Sequence, residues 1–124
     1  MSIYAGAHCL IQSTENGIEQ ISVQVVDEDG IIHGFLGLSN KDFTCMCTPT
    51  DLTIGSDNRI VINGIGTIFP HANVQNKTPV EVEFTAYNTT SVRFDVYEPN
   101  TNKLVFLSTG YAEVFRGSVI HGEF

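Results

Sequence analysis

Apolar and polar residues alternate with a period of two along much of the chain. Ile21, Val23 and Val25 alternate with Gln20, Ser22 and Gln24; Val80, Val82, Phe84 and Ala86 alternate with Glu81, Glu83 and Thr85. Val92, Phe94 and Val96 alternate with Arg93, Asp95 and Tyr97. Side chains i and i+2 of a strand share a face, so each run predicts a strand with one dry and one wet side. Turn-forming residues punctuate these runs: Glu15-Asn16-Gly17, Glu28-Asp29-Gly30, Ser56-Asp57-Asn58, Asn88-Thr89-Thr90 and Pro99-Asn100-Thr101-Asn102. Gly supplies positive φ and Asn and Asp tolerate it, which makes these hairpin signals. Strands are predicted near 3–12, 18–27, 31–38, 44–48, 59–69, 79–87, 91–98, 103–108 and 111–116. No window of ten or more residues carries a 3.6-residue period. The one helical turn expected lies at 39–43, with Ser39 as its cap.

Composition agrees with the pattern. Val, Ile and Thr occur twelve times each, against eleven Leu and Ala together. β-branched side chains pack well on a pleated surface, whereas helices favour Ala and Leu. The expected fold is one all-β domain over 1–124: an antiparallel meander of eight or nine short strands with little or no helix. Such a meander closes into a β-barrel or divides into a β-sandwich, and alternation alone does not separate the two. The segments 47–55 and 70–79 are expected to cross between sheets or cover an open end, since Pro70 and Pro79 cannot donate to a central ladder.

Charge narrows the function classes. Fourteen acids against six bases give a net charge of −8, and the bases are scattered singly. Nucleic-acid and anionic-membrane binding draw on clustered Lys and Arg, so neither is expected. The N-terminal stretch Met1-Ser2-Ile3-Tyr4-Ala5-Gly6-Ala7-His8 lacks a basic region followed by a long apolar run, and no apolar run reaches membrane-spanning length. A cytoplasmic location is the expectation. The three cysteines, Cys9, Cys45 and Cys47, fit reduced thiols in that compartment. Cys45 and Cys47, two apart on a strand, stand too far apart for an unstrained bridge.

Candidate chemistry is sparse. Cys45-Met46-Cys47 has no second cysteine pair, and His8, His33, His71 and His121 are isolated, so no metal site is expected. Asp27-Glu28-Asp29-Gly30 lacks the spacing of a calcium loop and reads as a solvated turn. No nucleophile elbow or phosphate cradle occurs, His8 and Cys9 would face opposite sides of a strand, and no catalytic residue or cofactor is assigned. Tyr87 and Tyr97 lie on the wet phase of their strands with Arg93 and Asp95, and these four residues are the candidate ligand-binding surface. The segments Val25-Val26 and Ile31-Ile32, and the region of Val105 and Leu107, are apolar on both faces and call for a cover, which a second sheet or another subunit would supply. The functional expectation is a non-enzymatic module acting by protein binding or homo-oligomeric self-association. The alternatives are a small barrel carrying an apolar ligand or a carbohydrate, and then a barrel-type isomerase or hydrolase.

Overall fold

The computed structural model describes residues 2–13, 17–55, 57, 59–87, 91–111 and 113–119, and the side chains of 18–55, 57, 59–87 and 91–110. The strands are β1 (Ser2–Ser13), β2 (Gly17–Glu28), β3 (Ile31–Ser39), β4 (Phe43–Ile54), β5 (Ile60–Pro70), β6 (Thr78–Ala86), β7 (Ser91–Glu98), β8 (Lys103–Tyr111) and β9 (Glu113–Val119). All belong to one antiparallel sheet in the order β8-β7-β6-β5-β4-β3-β2-β1-β9. The fold is therefore all-β, with no helix among the described residues.

From β1 to β8 each strand pairs with the next, as a meander requires, but β9 pairs with β1 and not with β8. Only residue 112 separates β8 from β9. Strands β2–β8 curl into a half-barrel. Side chains meet across its concave side: Phe43 of β4 and Phe106 of β8 stack edge to face with ring centres 5.1 Å apart.

Glycines supply the curl. Gly34 has φ +121°, and a Cβ there would fall on the carbonyl oxygen of Gln24 in the neighbouring strand. A Cβ at Gly66 would likewise meet the Met46 carbonyl. At both points adjacent backbones approach more closely than any side chain allows, the usual means of bending a sheet into a barrel wall.

The dry rows of the alternation fill the concave side. Ile21, Val23 and Val25 of β2 pack with Leu36 and Leu38, Cys45 and Cys47, Ile60 and Ile62, Val80, Val82 and Phe84, and Val92, Phe94 and Val96. Burying a side chain of this size contributes roughly 1.5–3 kcal/mol. Three buried polar side chains, Glu19, Asn40 and Ser108, share this space. Glu19 is buried among them and accepts hydrogen bonds from Asn40 Nδ2 at 3.2 Å and Ser108 Oγ at 3.0 Å.

Three local expectations are corrected. The segment 39–43 is a tight strand connection, not a helical turn: Asn40, not Ser39, organises it, its Oδ1 accepting from the N–H groups of Asp42 and Phe43 at 2.9 and 3.0 Å. An Asn side chain that bonds backbone two and three residues on holds the chain in a turn. Residues 47–54 continue β4 and pair with β5; Pro49 is accommodated because the register shifts between Pro49 and Asp51. A bulge is one of the few places where a strand tolerates Pro. The segment 70–79 joins neighbouring strands of one sheet and makes no crossing between sheets. Among the described residues, no helix is long and apolar enough to cross a membrane.

Candidate functional site

The outer face of β5–β7 is built by strand alternation. With Val80, Val82 and Phe84 turned inward, Glu81, Glu83 and Thr85 point outward; with Val92, Phe94 and Val96 inward, Arg93, Asp95 and Tyr97 point outward. Antiparallel register then sets Glu81 opposite Tyr97, Glu83 opposite Asp95 and Thr85 opposite Arg93. On the other side of β6, Asn63 and Ile65 of β5 stand opposite Glu83 and Glu81. Thr50 of β4 and Asn102 of the β7–β8 turn complete the border of a groove of about 520 Å³, which Asn63, Ile65, Glu81, Glu83 and Tyr97 also line.

Electrostatics tie this surface together. Asp95 faces outward yet is only 3% exposed. The Nε of Arg93, two residues away on the same face, donates to both its oxygens at 2.7 and 2.9 Å. That bond, with the attraction of the carboxylate, raises the Arg93 pKa above the usual guanidinium value. The ion pair also offsets the repulsion between Asp95 and Glu83, like charges directly opposite on adjacent strands. Tyr97 holds its phenolic proton more tightly than usual, first because it is partly buried and then because Asp95 and Glu83 lie near it.

Tyr87 lies just beyond the end of β6, exposed, with the Arg59 guanidinium 5.2 Å from its ring centre. This is a cation–π distance. Tyr87 borders a separate hollow of about 260 Å³ with Ser91, Val92, Thr109 and Gly110. The structure therefore places the four sequence candidates on one side of the sheet but not in one site. Tyr97 lines the groove, Arg93 and Asp95 form an ion pair next to it, and Tyr87 lines the second hollow. Alternation left out Thr50, Asn63 and Asn102, because their place beside Tyr97 depends on strand order. Glu81 was readable as part of the wet row of β6.

Two other candidates from the sequence are placed. Cys45 and Cys47 are free thiols directed into the core. His8 and Cys9 lie in β1, outside the described side chains, and His121 lies outside the described residues. Among the described residues no three His, Cys, Asp or Glu side chains gather as metal ligands would. His71 takes a structural position: its Nδ1 donates to the Lys41 carbonyl at 3.1 Å, which leaves Nε2 to accept from the Thr44 hydroxyl at 2.9 Å. This ties the β5–β6 connection to the start of β4. Comparison with protein-family models, curated proteins and solved structures returns no match for this chain.

Proposed function

We propose that the chain is a non-enzymatic binding module and that its recognition surface is the groove across β5–β7. The ligand class argued for is a cationic segment of a partner protein, rich in hydrogen-bond donors. The observation that carries this reading is the groove's lining. Two carboxylates (Glu81, Glu83), two side-chain amides (Asn63, Asn102), a hydroxyl (Thr50) and the Tyr97 ring border it, and none of the residues lining it is Lys or Arg. The Arg nearest in register, Arg93, is occupied by Asp95. A Lys or Arg side chain entering the groove would meet acceptors for its N–H groups and an aromatic face for its charge. The net charge of −8 would speed encounter with such a partner. The interior is packed with side chains, which favours the surface over the concave side as the place of recognition.

The test is binding of a fluorescent Lys/Arg-rich peptide, followed by anisotropy. The double variant Glu81→Gln/Glu83→Gln should weaken it at least about tenfold, the loss expected when charge-assisted hydrogen bonds worth about 1.4 kcal/mol or more are removed. Asp27→Asn/Glu28→Gln, which changes net charge equally at the end of β2 and touches no residue lining the groove, should leave affinity nearly unchanged. Equal losses in the two variants would reduce the effect to bulk charge and overturn the reading.

A second reading is self-association through β8. Leu104, Val105 and Leu107 are 43%, 54% and 40% exposed, side by side on a strand at the end of the sheet order. An apolar strip on an edge strand is a template for pairing with another chain. Leu107→Lys should convert an oligomer to monomer in native mass spectrometry, and a wild-type chain that is monomeric at high concentration would remove this reading.

A further inference from the structure

Two thiols meet inside the sheet on β4. Cys45 and Cys47 are 0% and 7% exposed, and their sulfurs lie 3.5 Å apart in a mutual hydrogen bond. An extended strand sets residues i and i+2 about 6.8 Å apart at Cα. Sulfurs in contact therefore mean side chains that lean toward each other. The space for this comes from across the ladder. Cys47 pairs with Gly66, and a Cβ at that glycine would stand 2.7 Å from the Cys47 sulfur. The surroundings are apolar: Leu36 pairs with Cys47, and Leu38 and Ile68 pair with Cys45.

We propose that Cys45 and Cys47 form a redox-active dithiol, which a hydroperoxide closes to an intramolecular disulfide and a small thiol reopens. The product suits the site: a disulfide is neutral, needs less room than two thiols and carries no charge into a dry environment. One thiolate of the pair attacks the hydroperoxide; the O–O bond breaks, leaving a sulfenic acid on that cysteine and an alcohol that takes up the proton its thiol gave up. The second sulfur then attacks the first; the S–O bond breaks, and the hydroxyl leaves as water with the second thiol's proton. Two thiols and one hydroperoxide thus give one disulfide, one alcohol and one water, each sulfur losing one electron and the peroxide gaining two.

Closure shortens the sulfur separation from 3.5 Å to about 2.05 Å, and a Cα separation near 6.8 Å is at the upper limit of disulfide geometry. The strand must contract slightly, and the register shift between Pro49 and Asp51 lies two residues from Cys47 to take up that change. The strain that remains makes the bond easily reduced, as befits a reversible site and not a structural one.

The experiment is hydrogen peroxide treatment of the folded 124-residue chain carrying Cys9→Ser, followed by alkylation in denaturant and intact mass measurement. The expected product has lost two hydrogens, takes up no alkyl group and recovers both thiols with millimolar glutathione. Adding either Cys45→Ser or Cys47→Ser should stop the reaction at a sulfenic acid on the cysteine that remains, which dimedone traps. Two alkylatable thiols persisting after oxidation, or separate sulfinic acids on the two residues, would overturn the proposal. If Cys9→Ser does not fold, mapping of the wild-type chain decides the same question: a Cys45–Cys47 link supports the proposal, and a link through Cys9 overturns it.

Discussion

Ser108 donates its hydroxyl proton to Oε1 of Glu19 at 3.0 Å, joining strands that are 89 residues apart in the chain. Oε2 of the same carboxylate accepts from Asn40 at 3.2 Å, and all three residues are buried. Glu19 thus links β2, the β3–β4 turn and β8 across the concave side of the sheet. Ser108→Ala should cost about 1–2 kcal/mol in chemical denaturation. Glu19→Ala should cost more, about 2–3 kcal/mol, because it leaves two buried donors without an acceptor. If Glu19→Ala proved the milder change, water would be satisfying those donors and the link would not hold the curl.

The ion pair on the outer face is asymmetric. The Asp95 side chain is 4% exposed and the Arg93 side chain 36%. Removing the arginine strands a buried carboxylate, whereas removing the acid frees a guanidinium that already reaches water. Arg93→Ala should therefore destabilise the fold, and Asp95→Asn should do so by less. The ranking of the two in urea denaturation is the check, since equal losses would mean that Asp95 is hydrated.

Tyr97 gives the groove a pH signature. Its pKa is raised by burial and then by Asp95 and Glu83. A phenol whose folded pKa exceeds its unfolded value binds more proton when folded. Its contribution to stability is therefore full below about pH 10 and is lost as pH rises through the folded pKa. Ultraviolet titration compared with that of Tyr97→Phe should assign to Tyr97 a step above the ordinary phenol value, and Glu83→Gln should move that step down. A step that stays in place would separate Tyr97 from the carboxylates.

Much of this architecture was legible in the chain because side-chain phase is local. The rows Val80-Val82-Phe84 and Val92-Phe94-Val96 announced their dry faces, and with them the outward placement of Arg93, Asp95 and Tyr97. The buried role of Glu19 was missed, although it stands in phase with Ile21, Val23 and Val25, because its partners Asn40 and Ser108 reach it only through the curl of the sheet. The groove divides the same way. Its β6 and β7 residues follow from alternation, but Thr50 comes from the end of β4, where Pro49 reads as a strand break until the bulge beside it is seen. The convergence of Cys45 and Cys47 depends on Gly66 lying opposite, again a matter of register.

The curl itself is open to test at two glycines. Gly30 and Gly34 both have positive φ, +91° and +121°, a region that L residues rarely enter, so alanine strains the backbone at either. Their surroundings differ. A Cβ at Gly30 meets nothing within 4 Å, while a Cβ at Gly34 falls on the Gln24 carbonyl of β2. Gly30→Ala should therefore cost only the conformational term, about 1–2 kcal/mol. Gly34→Ala must in addition push β3 away from β2 where Gly34 pairs with Val25, a buried core residue. Its loss in denaturation midpoint should be at least about twice that of Gly30→Ala, with faster hydrogen exchange at the amides of both strands. Equal losses would mean that the sheet can open at Gly34 without cost to the core, and the tight β2–β3 approach would then not be what sets the curl.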